Sequence, residues 1–364
     1  FNGLNKFDRK TKKFKRYKHD PHNPNSLSYR LISFLFADHV GNLWISTNNG
    51  GLNKFNVKSE QFTRFQYDPY NSNSISSNMV ISILEDNFQG YSVLWLATFN
   101  GLDRFDLETE KFTHYRHDHG NPNSLCNNRV NALYKDKTVT IWIGTFGGGL
   151  SKIDPERQKF SHLRQEIGNS KSLSDNTIIS IAESKYYGPD VFWMATENGG
   201  LNIYDRNNDS FAHYRHDPND TNSLSNDFVI TLFESHFQGR NELWIGTLNG
   251  LDKLDLKTMK FTRFQRIPGD PYSISNNIIR SIYEDKTGIL WIGTRNGGIN
   301  RYDRSSRRFL RKRYYIGETY VLLEDNTGTL WAGTHRGLAR YNGDTDNFVH
   351  FKHDPDNPFS LSHS

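Results

Sequence analysis

The chain has 364 residues, a formal net charge of +5, one cysteine, and a hydrophobic share of 35% within which aromatic rings, 14% of all residues, are prominent. The one cysteine, Cys126, excludes an intramolecular disulfide framework and a cysteine-rich zinc site, the apolar runs are too short to span a bilayer, and no signal peptide opens the chain. Few aliphatic side chains but many large rings suit numerous short, half-buried strands better than thick helices, and the mild basic excess favours acidic partners.

Residues 1–17 match only the second half of a module that then recurs in full from near residues 30, 78, 128, 176, 227, 277 and 318. Phe1 stands in mid-motif, so the chain reads as a processed or truncated piece. Each full copy carries its tryptophan at one place: Trp44, Trp95, Trp142, Trp193, Trp244, Trp291 and Trp331, spaced by 51, 47, 51, 51, 47 and 40 residues. Self-similarity at such a period marks a repeat architecture and governs the fold before any local reading does.

Within a copy, four short segments follow in order. Segment a, such as Val80-Ile-Ser-Ile-Leu-Glu-Asp86, is β-branched and bounded by polar residues, which predicts a strand buried on both faces. An Asp-to-Gly turn such as Asp285-Lys-Thr-Gly288 leads to segment b, for example Leu290-Trp-Ile-Gly-Thr294. Glycine at the fourth place of b is expected to let another backbone pass closely. Turns such as Asn49-Gly-Gly51 suit positive φ in a hairpin and lead to segments c (Leu52-Asn-Lys-Phe55) and d (Phe62-Thr-Arg-Phe65), whose alternation predicts more exposure. Burial is thus expected to fall from a to d. The fold class that follows is all-β: one β-propeller over 1–364, of four-stranded antiparallel blades. The competing reading is a β-solenoid, but its coils are about half this period or less. Seven a–b pairs stand against eight c–d pairs, because 1–17 supply a half-blade. Either seven blades close with a leftover ribbon, or the first blade lost its inner strands; seven is the expected number. The d-to-a loop is missing between Arg313 and Tyr320.

The phrase Glu-Asp-x-x-Gly-x-Leu-Trp-Ile-Gly-Thr-x-x-Gly-Gly-Leu is fullest over 284–299 and 324–338, and there the sequence resembles the two-component regulator propeller family. The loops His19-Asp-Pro-His-Asn-Pro-Asn-Ser-Leu-Ser28 and His216-Asp-Pro-Asn-Asp-Thr-Asn-Ser-Leu-Ser225 also match the family's habit, and the likeness runs through essentially the whole chain. It implies the extracytoplasmic sensor of a bacterial membrane receptor, on its periplasmic or extracellular side. Such sensors commonly have two consecutive propellers, a small β-domain, one membrane helix and a cytoplasmic histidine kinase or other output, and several respond to breakdown products of complex polysaccharides. About one propeller's worth of repeats, with no membrane helix and no kinase, implies a sensor module rather than a receptor, tied to a membrane only through missing segments.

No Gly-x-Ser-x-Gly elbow, His-Glu-x-x-His pair, phosphate-cradling loop or paired-cysteine site is present, so neither enzymatic activity nor a cofactor is expected. His19, His117, His216 and His353 recur before the loop Asp. His114, His162, His213 and His350 share a d-strand column with Arg16, Arg64 and Arg263, which reads as a polar rim. The loop Asp and Asn oxygens suit hard cations, but their acidic count is low and no metal is expected. Leu27, Leu125, Leu173 and Leu224, with Ile75 and Ile274, read as plugs between blades. Cys126 stands where other copies carry Ser28, Ser76, Ser174 and Ser225, a structural position. The basic stretches at 301–313 and 10–18 read as solvated outer strands, and no nucleic acid is expected.

Function is sought where copies differ on an unchanging frame. The residue after the b-strand Thr is Asn48, Phe99, Phe146, Glu197, Leu248, Arg295 and His335, an expected ring of aromatic and polar side chains suited to a polar small molecule or oligosaccharide. A second column enters strand a: Ser33, Ile81, Asn131, Ile179, Ile230, Arg280 and Tyr320. Within it, Asn131 and Arg280 join the candidates. Arg280 is read as a salt bridge to a neighbouring blade, or as a fork of donors beside Arg295 for an anion. Longer a–b loops, Asn87-Phe-Gln-Gly-Tyr91, Lys185-Tyr-Tyr-Gly-Pro189 and His236-Phe-Gln-Gly-Arg240, expose aromatics and suggest a partner such as a neighbouring propeller or a second copy. A ligand-sensing propeller is therefore expected. An interaction or dimerisation scaffold is the alternative, and a polysaccharide lyase, resting on Glu197 and His335, is a lesser one.

Overall fold

Short β-branched and aromatic segments set apart by Asp- and Gly-bearing turns can bury both faces only as stacked sheets, and the chain folds accordingly. The computed structural model describes residues 3–88, 90–154, 159–310 and 316–363. It is a β-propeller of seven four-stranded antiparallel blades, at 32–65, 80–115, 130–163, 178–214, 229–264, 279–310 and 319–351, each with its strands a to d hydrogen-bonded in chain order. Two further strands, β1 (Leu4–Asp8) and β2 (Lys13–Tyr17), form a separate antiparallel ribbon. The only helical element among the described residues is one 3-10 turn, Phe237–Gly239.

The fold groups into two compact units. One holds residues 1–167, 176–181 and 355–363, and the other 168–175 and 182–354. In the first, blades 2 and 3 share a core of Val93, Trp95, Ala97 and Leu102 against Ile141, Ile143, Ile153 and Phe160. Blades 1 and 2 share Trp44, Leu52 and Phe34 with Val80, Leu94, Leu96 and Phe105. In the second, Trp244, Leu251 and Phe233 of blade 5 meet Ile279, Leu290, Ile292 and Tyr302 of blade 6. The apolar stabilisation thus lies between blades rather than inside any one, so no blade can bury its own surface alone.

Burial does not fall from a to d. The b strands are the most enclosed, with all five residues of Ile141–Thr145 and Leu290–Thr294 buried. Strand a is half-exposed, alternating along Ile32–Ala37 and leaving Val321 and Leu323 exposed in blade 7. The cause is position: strand a has a partner on only one side within its sheet, whereas b is flanked by a and c and covered on both faces.

Six tryptophans, Trp44, Trp95, Trp142, Trp193, Trp244 and Trp291, are fully buried, and Trp331 is half-buried. Three of the rings meet an aromatic ring of the next blade. Trp44 meets Phe105 of the next blade edge-on at 5.5 Å, Trp244 meets Tyr302 at 5.2 Å and Trp291 meets Tyr341 at 4.8 Å, geometries aromatic pairs prefer. The indole N–H is satisfied by the Asp that opens the a–b turn: Trp44 on Asp38 at 2.9 Å, Trp142 on Asp136 at 2.7 Å, Trp291 on Asp285 at 2.7 Å and Trp331 on Asp325 at 2.6 Å. Blade 4 has Ser184 instead of that Asp, and Trp193 donates to Glu234 of blade 5 at 3.0 Å. Blade 5 has Ser235, whose neighbour Glu284 is held by Ser235 and Arg304, and the buried Trp244 N–H has no partner among the described residues.

Glycine in strand b makes room for a side chain, not a backbone. A Cβ at Gly144 would stand 2.8 Å from Cγ2 and 2.9 Å from Cβ of Ile178, on the next a strand, and one at Gly293 would stand 2.9 Å from Thr319 Cγ2. In blades 3, 5 and 6 the β-branched residue that opens the next a strand occupies the space. Gly144→Ala is therefore expected to lower the unfolding free energy by about 1–3 kcal/mol through overpacking. Urea unfolding measures it, and an unchanged midpoint would refute the packing account.

The ribbon is not left over. Ser362 donates its backbone N–H to Asn5 Oδ1 at 2.9 Å, Asn5 Nδ2 returns a bond to Ser362 Oγ at 2.9 Å, and Phe14 N–H reaches Phe359 O at 2.8 Å. These repeat how the loop before each blade docks on it, as Ser28 N–H does on Asn53 Oδ1 at 2.8 Å. Leu4 and Tyr17 also pack against Leu27, Phe55 and Phe62 of blade 1. The ribbon is thus the c–d half of a blade, held on one side by blade 1 and on the other by the loop that follows blade 7. Blade 7 has Ala339 where other c strands carry Asn, Asp or Ser, and residues 311–315 lie outside the described residues, with Arg311, Lys312 and Arg313 among them.

Candidate functional site

Two columns of variable side chains are set side by side by backbone bonds. The residue after the b-strand Thr donates its N–H to the carbonyl just before strand a: Asn48 to Leu31 at 2.7 Å, Phe99 to Met79 at 3.3 Å, Phe146 to Arg129 at 2.9 Å, Leu248 to Phe228 at 3.3 Å, Arg295 to Ile278 at 2.9 Å and His335 to Glu318 at 3.0 Å. The first column is the one expected from sequence; the second, with Arg129 and Glu318 in it, was missed. Its signal was available, since those positions also differ from copy to copy while the following residue stays β-branched.

In the first unit the pairing produces a ledge. The exposed Arg129 guanidinium stands 4.6 Å from the Phe99 ring centre and 4.1 Å from that of Phe146, and both rings are themselves exposed. Cation–π contacts of this kind hold an arginine in place, and a guanidinium stacked on rings keeps its N–H fork in plane for a bidentate partner. Asn48 is exposed on the same column. In the second unit, Arg280 Nε lies 3.3 Å from Glu318 Oε1, and Glu318 N–H donates to His335 Nδ1 at 2.9 Å. Arg280 therefore bonds to the next blade and is not a free fork. Arg295 and His335 are exposed, Leu248 is 39% exposed and Glu197 is half-buried.

The column entering strand a is a β-bulge. Register shifts between Ile32 and Phe34, Val80 and Ser82, Val130 and Ala132, and Ile279 and Ser281 leave Ser33, Ile81, Asn131 and Arg280 unpaired in the ladder, and a bulged residue is free to be re-aimed. Asn131 Nδ2 reaches Ile178 O at 3.4 Å and Ser33 Oγ reaches Val80 O at 3.2 Å. Their variety reflects contacts to the neighbouring strand.

The d-strand His and Arg column clamps the loop. His162 Nε2 donates to Ser124 O at 2.6 Å, His213 to Ser172 O at 2.6 Å, and Arg64 Nε to Ser26 O at 2.8 Å. His and Arg interchange because either supplies the N–H. Loop histidines do similar work, His117 Nδ1 donating to Leu125 O at 2.8 Å and His216 to Leu224 O at 2.6 Å. The plugs Leu27, Ile75, Leu125, Leu173, Leu224 and Ile274 are at most 1% exposed.

Beside the 117–128 loop lies a cleft of about 750 Å³, lined by His117, His119, His162, Arg164, Asn127, Asn176 and the Gly147 and Gly148 backbone. Its counterpart in blade 2, beside His114 and Arg116, measures about 360 Å³. In blade 2 the His114 ring lies 2.7 Å from the buried Asp103 carboxylate, which raises its pKa. In blade 3 the equivalent c-strand position is Ser151, and burial, followed by the charges of Arg164 and His117, lowers the His162 pKa. No group of three or more His, Cys, Asp or Glu among the described residues is placed to hold a metal ion.

The longer a–b loops expose Tyr91, Tyr186 and Tyr187, and two of these loops also contact the next blade. Tyr187 Oη donates to Leu256 O at 2.8 Å, and the Phe237 ring covers Gly288, leaving no room for a Cβ there. Gln89 lies outside the described residues. The basic stretches are similarly engaged: Arg304 pairs with Glu242 and Glu284, Arg301 with Asp346 at 3.2 Å, and Lys15 with Glu60.

The blades repeat one topology, and residues 273–296 match the family model described as two component regulator propeller. The chain thus carries that family's repeat. No curated protein matches the sequence. Among solved structures, 98% of the chain aligns with 51% of the extracellular domain of BT3049 from B. thetaiotaomicron, described as a hybrid two component system, at TM-score 0.58 and 23% identity. The extracellular domain of BT4673 from the same organism, described as a one component system, aligns over 97% of the chain and 52% of its own length, at TM-score 0.52 and 19% identity. PorZ of Porphyromonas gingivalis, a surface component of the type-IX secretion system, aligns over 90% and 48%, at TM-score 0.61 and 14% identity. The chain spans about half the length of each, and at these identities the likeness is one of fold. No helix among the described residues is long and apolar enough to cross a membrane.

Proposed function

We propose that this chain is a ligand-sensing propeller of an extracellular receptor domain of the two-component kind, without catalytic activity, and that it binds a carbohydrate-like polar small molecule at Phe99, Arg129 and Phe146. The observation that carries this reading is the exposed Arg129 held over two exposed phenyl rings on the most variable turns of the frame. Such a ledge offers an apolar surface on which a sugar ring stacks, with charged donors beside it for hydroxyls. The extracellular setting rests on the described nature of BT3049 and BT4673. A glycan screen followed by calorimetry tests it: Phe146→Ala and Arg129→Ala are expected to weaken any glycan bound by the unaltered chain about tenfold or more. Equal affinity in all three proteins would move the site elsewhere.

A further inference from the structure

We propose that the cleft beside the 117–128 loop binds the acidic group, carboxylate or sulfate, of an anionic saccharide. This rests on the carbohydrate reading above and names the ligand class.

The cleft differs from its counterpart in blade 2 in both space and charge. Where blade 2 places Asn100 Nδ2 against Ser76 O at 3.1 Å, blade 3 has Gly147 and Gly148, and Gly120 stands in the loop where blade 2 has Tyr70. Room opens where other side chains project. The charge difference is sharper. The d-strand cation of blade 2 has Asp103 beside it, and Arg263 of blade 5 has Asp252 at 3.9 Å. Blade 3 keeps the d-strand N–H donor, His162, but carries Ser151 where the carboxylate would stand.

Further basic side chains gather on the same walls. His119 Nδ1 lies 3.2 Å from His117 Nε2, and Arg164 is exposed, with no side-chain hydrogen bond or ion pair among the described residues. The carboxylate among the lining residues, Asp118, is exposed and accepts the Gly120 N–H at 2.9 Å. Burial is the main cause of the lowered His162 pKa, and the neighbouring charges of Arg164 and His117 lower it further. Asn127, Asn128 and Asn176 supply neutral amides for hydroxyls. The cleft adjoins the ledge in sequence on both sides, because Gly147 follows Phe146 and Asn128 precedes Arg129.

Calorimetry of the whole chain with a short uronic-acid oligosaccharide, a sulfated one and a neutral one of equal length tests the proposal. An acidic oligosaccharide should bind about tenfold or more tightly than the neutral one, and whichever acidic arm binds tighter identifies the group. Arg164→Gln and His119→Asn should each weaken acidic binding about tenfold and leave neutral binding unchanged. Both side chains are exposed, so folding is retained. Equal affinity for acidic and neutral sugars, or unaltered acidic binding by both variants, overturns the inference. If neutral sugar then still binds and Phe146→Ala abolishes it, the sensing reading stands alone; if no oligosaccharide binds, both fall.

Discussion

Truncating Trp142 to alanine lowers the unfolding free energy by about 3–5 kcal/mol, because a fully buried indole leaves a cavity that rigid neighbouring sheets cannot close. Phenylalanine separates the packing from the polar contribution. Trp142→Phe removes the 2.7 Å bond to the buried Asp136, whereas Trp244→Phe removes an N–H that has no partner among the described residues. The substitution at 142 should cost about 1–3 kcal/mol more than at 244, since it removes a bond to a buried carboxylate. Guanidinium unfolding of the two variants measures the difference. Equal losses would mean that the Asp-to-indole bond contributes nothing to stability.

Asp252→Asn stabilises the protein at neutral pH. Burial pushes the Asp252 carboxyl up to about 6 from its ordinary 3.8, only partly opposed by bonds from Ser225 and the charge of Arg263. Below the ordinary value the group is protonated in folded and unfolded chains alike, and it costs nothing. Between that value and about 6 the unfolded chain ionises while the folded one holds its proton, so stability falls as pH rises, and the loss is complete above about 6. Two pKa units correspond to about 3 kcal/mol, an upper figure. Asparagine is the residue at this position in blades 1, 4 and 6, where Asn53 accepts the Ser28 N–H and donates to Ser28 Oγ at 2.8 Å. The variant should therefore match the unaltered chain near pH 4 and exceed it by about 1–3 kcal/mol at pH 7.5. A constant difference across that range would refute the titration account.

Much of the fold was legible because the repeat compares the chain with itself. Seven tryptophans in one register, Asp-to-Gly turns and plugs such as Leu125 each have one structural solution, and seven copies average out local ambiguity. The gradient of burial was misread because apolar content does not reveal which strand is an edge: Leu35 and Leu323 are apolar and exposed. The same limit hid the purpose of Gly144, which accommodates Ile178 from another blade, thirty-four positions away in the chain. For the site, Phe99 and Phe146 were read from the variable column after the b-strand Thr, whereas Arg129 stood in the equally variable column before strand a. Asn131 and Arg280 are turned by the bulge toward the next blade.

Sequence alone therefore determined the module, its period, its turns and its buried anchors, because those depend on residues close together in the chain and recur in every copy. Only the tertiary structure decided which variable side chains meet. Whether Arg129 stacks on Phe99 and Phe146, whether His162 has a carboxylate beside it, and whether Trp244 finds an acceptor all depend on neighbouring blades, and a contact between blades joins residues that no local pattern links.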